Sequence, residues 1–407
     1  MTTELRIDGS RLLQRVRTLG EVGGLPGGGV CRLALTDEDR RGRDLVRGWM
    51  EALGLVVHVD PIGNVVGVWP GTEPGPPVMT GSHIDTVRTG GLYDGNLGVL
   101  AGLEVIETLQ AAGIRPRRSL AVAFFTNEEG ARFAPDMLGS LCFVGGLPLS
   151  EARAVVGIDG AVLGDELDRI GYAGSAAPMP VHAFVELHVE QGPVLEREGV
   201  TIGVVEGVQG ISWTELTITG VSNHAGTTPL RLRHDAGYVA GCIVQLVRAL
   251  ARELGGDQIG TVGSLRLHPD LVNVIPNRAV LTVDLRNTDE AVLQTAEARL
   301  HAHVQQLAAE EGVQVSQRSL ARFAPVRFDP ALCDQVEAAA RRLGHSTRRM
   351  PSGAGHDAQM LARICPAAMI FVPSVGGISH NVAEHTEPND LLAGADVLLQ
   401  VLLELCA

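Results

Sequence analysis

Two short apolar runs that end abruptly in ionisable residues constrain the fold of this chain more than any other feature. In PVMTGSHIDTV (77–87) a strand-like run breaks into His83 and Asp85, and in LAVAFFTNEEG (120–130) another breaks into Glu128 and Glu129. A strand that is apolar along its whole length is covered on both faces, as in a parallel sheet. The carboxyl end of such a strand is where an open α/β sheet presents polar side chains to a ligand. Between the two runs, NLGVLAGLEVIETLQAAG (96–113) is long enough for a helical crossover. LVVHV and NVVGVW read as further strands. The segment from Thr36, TDEDRRGRDLVRGWMEALG, predicts a helix with a threonine cap, acids in its first turn and Gly54 as its stop.

From about Ile211 to Phe323 the rhythm changes. Strand WTELTITG, helix HDAGYVAGCIVQLVRALARELG, strands TVGSLRL and AVLTVDLR, helix DEAVLQTAEARLHAHVQQLAAEEG and strand VQVSQRSLA follow in the order β-α-β-β-α-β, the split ferredoxin-like arrangement. Afterwards the α/β texture returns, with a helix from about Pro330 to Leu343, the loop SGAGHDAQ, strand AAMIFV, the loop PSVGGISHN and a closing helix. The expected fold is therefore α/β. A mixed-sheet catalytic domain with helices on both faces is built from 1–210 and 324–407, and a ferredoxin-like domain, 211–323, is inserted into it.

The chain has 407 residues and a formal charge of −14, and none of its basic residues is a lysine. No basic block could track a phosphate backbone, which argues against nucleic acid as a partner. Cys31, Cys142, Cys242, Cys333, Cys365 and Cys406 are scattered without a paired spacing, as in a protein of a reducing compartment, so a cytoplasmic location is expected. The N-terminus lacks the apolar core of a signal peptide, and no run approaches the roughly 20 apolar residues that span a bilayer.

A pair of divalent cations needs a bridging carboxylate with imidazoles or carboxylates on either side, and a position for an acidified water. The parts are present. His83 stands in GSHIDTV, where Asp85, two residues on, could accept the second imidazole proton and fix the tautomer. Asp94 stands in a Gly-flanked turn, Glu128 and Glu129 lie just past a buried strand, and His188 and His380 stand in VELHVEQGP and GGISHNVAEHTEP. Singly, each is an ordinary turn or surface residue; their arrival at strand ends on one presumptive sheet edge is what draws them together.

The ordered set GSHIDTVRTGGLYDGNLGV, FFTNEEGARF, ELHVEQGPVLE, NHAGTTP, NVIPN, SGAGHDAQM and GISHN resembles the family of N-carbamoyl-L-amino acid amidohydrolases, β-ureidopropionases and allantoate amidohydrolases, relatives of dinuclear zinc aminoacylases and exopeptidases. The resemblance runs from about Thr36 to the C-terminus. It implies that Asp94 bridges two metal ions, that His83, Glu129, His188 and His380 complete the two coordination spheres, and that Glu128 is the general base. Zinc suits the mixed N/O set, with manganese, cobalt or nickel as alternatives.

The same resemblance implies a substrate-binding set. Arg286, at the end of AVLTVDLR, takes the substrate carboxylate with Asn273 and His224, and Gln191 and Gly355 match further substrate-contacting positions. His224 could also polarise the carbamoyl oxygen. Because His224, Asn273 and Arg286 belong to the inserted segment, an open and a closed state are expected. Members of the family are homodimers through this segment, with some of these side chains reaching into the partner's site, and the same is expected here. His356 and Asp357 fit a supporting role near the site, as does Glu384 behind His380. Val382 stands where the commoner SHNPxE form has proline, a change in loop stiffness rather than chemistry. The expected reaction is removal of the carbamoyl group from an N-carbamoyl-L-amino acid. Allantoate or N-carbamoyl-β-alanine is the alternative substrate. An aminoacylase or exopeptidase, and a non-catalytic binding homologue, are remoter readings.

Overall fold

A computed structural model describes residues 4–407. In chain order the strands are β1 (Val56–Val59), β2 (Val65–Trp69), β3 (Val78–His83), β4 (Leu120–Phe125), β5 (Ala183–Val189), β6 (Ile202–Val208), β7 (Gly210–Thr219), β8 (Ile259–His268), β9 (Arg278–Asn287), β10 (Gln314–Phe323), β11 (Val326–Arg327), β12 (Thr347–Ser352) and β13 (Ala367–Val372). The chain divides into two compact units, one made of residues up to Gly207 together with Arg327–Ala407, the other of Val208–Val326.

The first unit holds the large mixed sheet, in the order β1-β2-β4-β3-β5-β13-β6-β11, with β12 against β6. Its centre is parallel: β3 pairs in parallel with β4 and β5, and β5 with β13, while β2 and β6 join antiparallel. β3, β4, β5 and β13 are buried at every position, which is why β4 and β13 read as unbroken apolar runs, while β3 and β5 carry buried polar residues toward their carboxyl ends. The crossover Asn96–Ala111 carries the chain from β3 to β4, and β5 lies on β3's other side, so β3 sits where the connections diverge. That divergence opens a crevice at the carboxyl ends of the strands. Register aligns those ends: His83 pairs with Phe125, and His188 with Phe371. Helix Asp37–Ala52 begins at the expected cap, with Thr36 accepting from the Asp39 amide.

The second unit is a four-stranded antiparallel sheet in the order β10-β7-β9-β8, with helices Ala236–Leu254 and Glu290–Glu311. This is the strand order of a ferredoxin-like fold. Period-two alternation sorts its side chains: Ala279, Leu281, Val283 and Leu285 of β9 join Leu216 and Ile218 of β7 in a core with Val239, Ile243, Val247, Leu293, Leu300 and Val304 of the helices. Arg278, Asp284 and Arg286 fall on the opposite face. Among the described residues no helix is long and apolar enough to cross a membrane.

Candidate metal centre

The carboxyl ends of β3, β4 and β5 deliver His83, the Glu128–Glu129 pair and His188 to one place, and two loops supply Asp94 and His380. Asp94 is the hub. Its Oδ1 lies 3.6 Å from His83 Nε2 and 3.2 Å from His188 Nε2, and its Oδ2 lies 3.4 Å from His380 Nε2. His380 Nε2 is also 3.2 Å from Glu129 Oε2. Three triads among the described residues are suited to a metal ion: His83–Asp94–His188 and Asp94–Glu129–His380, which share the Asp94 carboxylate, one oxygen facing each, and Glu186–His188–His356, which lacks Asp94.

The donor chemistry fits divalent ions. His83 Nδ1 and His188 Nδ1 each lie 2.9 Å from a backbone carbonyl, of Asp85 and Val189 respectively. With those nitrogens protonated as donors, each Nε2 turns its lone pair toward the centre, where that of His188 also accepts the Gly95 amide at 3.1 Å. Burial alone would raise the Asp94 carboxyl, but the three imidazoles hold it well below the usual carboxylate range. Hydrogen bonds to Asp94 and Glu129 push His380 up to about 10.

Glu128 belongs to none of these triads. It is buried, its Oε2 lies 3.3 Å from His83 Nε2, and burial pushes it well above its ordinary value while His83 pulls the other way.

The Asp94 turn explains the glycine beside it. Asn96 donates its amide to the Asp94 carbonyl at 2.7 Å around Gly95, which has φ 66° and ψ −47°. This is the rare, strained sense of a three-residue turn. A β-carbon on Gly95 would stand 2.4 Å from His83 Cε1 and Nε2, so the backbone crowds the His83 ring.

Several residues lie otherwise than the sequence implied. Asp85 does not take the His83 proton with its carboxylate, which is 3.9 Å away; its backbone carbonyl does that. The carboxylate instead accepts the amides of Glu128 at 3.3 Å and Glu129 at 3.4 Å, because the β3 and β4 ends are adjacent. Gln191 turns its Nε2 onto Asp94 Oδ2 at 2.9 Å and so lies behind the bridging carboxylate. Glu384 does not reach His380; its Oε1 accepts the amides of Tyr93 and Asp94 and so braces the hub. Ser379, which sequence reasoning passed over, donates to Asp94 Oδ2 at 3.2 Å. Only its place beside His380 could have marked it.

Gly355 packs against Met137, where a β-carbon would meet Met137 Cε at 2.7 Å, and Met137 donates its amide to the Glu128 carbonyl. His356 is buried edge-on to His188, with ring centroids 4.6 Å apart and Nε2 2.9 Å from Ser352 Oγ; burial lowers it well below its ordinary value. Asp357 is fully buried, and burial raises its carboxyl well above the usual range.

The second unit holds the other three residues, and it separates them. His224 and Asn273 are neighbours, since the Ala225 amide donates to the Asn273 carbonyl and the Ile275 amide to the Asn223 carbonyl. This pair sits beside the Arg278 end of β9, where the Gly220 amide meets the Asn277 carbonyl. Arg286 is at the other end of that strand, roughly 27 Å away at an extended rise of about 3.4 Å per residue. Within one chain, His224 and Asn273 thus adjoin one end of β9 and Arg286 the other. His224 Nδ1 accepts the amides of Gly226 and Thr227, which leaves Nε2 as the proton-bearing nitrogen. Arg286 Nε lies 3.1 Å from both Asp284 oxygens, and its guanidinium stands over the Trp213 ring.

The sequence profile of peptidase family M20/M25/M40 matches residues 79–404. The chain belongs to this family. An N-carbamoyl-L-amino-acid amidohydrolase of Rhizobium meliloti is 42% identical over 402 residues, covering 98% of this chain and 97% of that protein. Allantoate amidohydrolase of Escherichia coli is 36% identical, covering 95% of each. An amidase of the hydantoinase/carbamoylase family from Burkholderia multivorans superposes with a TM-score of 0.95 at 45% identity, covering 99% of this chain and 98% of that one. This M20-family chain is a hydrolase of amide C–N bonds, and its His, Asp and Glu triads are suited to divalent metal.

Proposed function

We propose that this M20-family enzyme removes the carbamoyl group from N-carbamoyl-L-amino acids, giving the amino acid, ammonia and carbon dioxide. The observation that carries the reaction class is the sharing of Asp94 between two donor triads while Glu128 stands outside both. Zinc is the ion that best suits three imidazoles and two carboxylates. When bound, the two ions would supply Lewis acidity to the substrate carbonyl and lower the pKa of water toward neutrality. Glu128 takes a proton from the attacking water and returns it to the departing nitrogen. Asp85, by accepting both backbone amides of the Glu128–Glu129 pair, fixes the segment that carries the base.

The carbamoyl substrate is supported by the relative of that name at 42% identity. We assign the substrate carboxylate to Arg286, whose guanidinium is pre-oriented by Asp284 and Trp213. The separation of Arg286 from His224 and Asn273 supports a homodimer in which His224 and Asn273 serve the site of a second copy. The edge strand β8 supports the same assembly, since it exposes Ile259, Leu265 and Leu267, and helix Ala236–Leu254 exposes Tyr238 and Val244. An open ten-residue edge with apolar side chains is a surface that pairs with another chain.

Ammonia release from N-carbamoyl-L-amino acids, allantoate and N-carbamoyl-β-alanine by the metal-loaded enzyme tests the substrate. Preference for the first is expected. Preference for allantoate would favour the reading shared with the E. coli relative. Hydrolysis of N-acetyl or peptide substrates alone would overturn the carbamoylase reading.

A further inference from the structure

Arg32 has no exposed surface, and its guanidinium donates to three backbone carbonyls and one amide oxygen, all neutral. Nε donates to the Ile84 carbonyl at 2.7 Å, Nη1 to the Leu19 and Val22 carbonyls at 3.0 and 2.7 Å, and Nη2 to Asn96 Oδ1 at 2.8 Å. A cation without a hydrogen-bonded carboxylate is costly to bury, and burial draws the Arg32 pKa down to about 10 against the attraction of Asp39 and Asp85.

The identity of the acceptors gives the burial a purpose. Ile84 lies between His83 and Asp85. Asn96 opens the helix two residues after Asp94, and its Nδ2 donates to the Leu92 carbonyl at 3.2 Å, which closes the turn that carries Asp94. One guanidinium thus ties the segment bearing His83 to the turn bearing Asp94. The backbone adds to the tie: the Arg32 amide donates to Thr86 Oγ1 at 2.8 Å, and the Thr86 amide to the Arg32 carbonyl at 2.9 Å. Helix Asp37–Ala52 leaves room for the side chain at Gly42, where a β-carbon would stand 2.8 Å from Arg32 Cδ. Glu129 and His380 are held by other groups, the Asp85 carboxylate on the Glu129 amide and Gln191 beside the His380 ring.

We propose that Arg32 is a positioning residue that sets the spacing of His83 from Asp94, and so governs the metal position of His83, Asp94 and His188 more than that of Glu129 and His380, which shares only Asp94 with it. The proposal rests on the two-ion reading of the centre. Its consequence is that the two ions respond unequally to a change at Arg32. Removing a hydrogen-bonding group behind a metal ligand lowers affinity by about 10- to 100-fold.

The test is calorimetric titration of the metal-stripped full chain with Zn²⁺, for the wild type, Arg32→Lys, Asn96→Ala and His380→Ala, with thermal unfolding of each before metal is added. The wild type is expected to bind two ions. Arg32→Lys and Asn96→Ala should each weaken one of them by about 10- to 100-fold and the other, which shares only Asp94, by much less. His380→Ala should weaken the ion that those two largely spare, and Arg32→Lys combined with His380→Ala should weaken both. A wild type that binds fewer than two ions overturns the centre itself, and this proposal with it. Two tight ions in the wild type, with both unaffected or both equally weakened in Arg32→Lys and Asn96→Ala, overturn the role of Arg32 alone. If Arg32→Lys does not fold, Asn96→Ala keeps the buried cation, removes one of its acceptors and carries the same readout.

Discussion

Replacing Gly95 by alanine adds one methyl group at a point where the His83 ring leaves no room for it. The turn at Gly95 has φ 66° and ψ −47°, and holding an L-residue in such a sparsely populated region costs about 1–3 kcal/mol. The new β-carbon would begin 2.4 Å from two atoms of the His83 ring and 2.5 Å from a third. Non-bonded carbons settle at about 3.5–4.0 Å, so the ring must withdraw by roughly 1 Å or the turn must open. Overpacking of this kind costs about 1–3 kcal/mol more, for a total of about 2–6 kcal/mol. The larger effect falls on metal. A zinc–nitrogen bond is about 2.0–2.1 Å, and a ring displaced by roughly 1 Å cannot keep it. Zn²⁺ content by elemental analysis after gel filtration, measured beside thermal unfolding, is the assay. Gly95→Ala should retain one ion fewer than the wild type and melt earlier. A variant with unchanged metal content and unchanged melting would refute both the turn geometry and the place of His83 in the centre.

Other changes separate the roles of the remaining residues. Glu128→Gln should lower kcat by about 10²- to 10⁴-fold while metal content stays at the wild-type value; normal turnover would remove Glu128 as the base. Arg286→Gln removes a charge-assisted contact worth about 1.5–3 kcal/mol, and kcat/KM for carboxylate-bearing carbamoyl substrates should fall by about 10- to 150-fold with metal binding unaffected. Co-expressing a His224→Ala chain with a Glu128→Gln chain should restore activity that neither shows alone, because the mixed dimer holds one site with both groups intact; absence of any restoration would place His224 at its own chain's site. Chelation should silence the enzyme, and activity should return with added Zn²⁺ or Mn²⁺.

The core strands and the ionisable residues at their ends were legible because both are local: β4 announces itself in six consecutive apolar positions with Glu128 three residues beyond, and β3 opens apolar and ends at His83. Helices Leu138–Phe143, Leu149–Arg153 and Leu163–Ile170 were not read, since elements of five to eight residues are too short to show a period. What supports the ligands was hidden for another reason. Glu384 reaches Asp94 across 290 positions, Gln191 across 97 and Arg32 reaches Asn96 across 64, and no spacing rule connects such pairs. Asp85 shows the limit from the other side: the right residue was chosen, but whether its carboxylate or its carbonyl faced His83 depended on where β4 ended beside it. The distance between Arg286 and His224 depended in the same way on which end of β9 each adjoins.

The most direct measurement is anomalous diffraction at the zinc edge from crystals of the metal-loaded enzyme. Two peaks per chain are expected, one bounded by His83, Asp94 and His188 and the other by Asp94, Glu129 and His380, with Glu128 a ligand of neither. A single peak, a peak held by Glu186, His188 and His356, or a Glu128 oxygen bound to either ion would contradict the account.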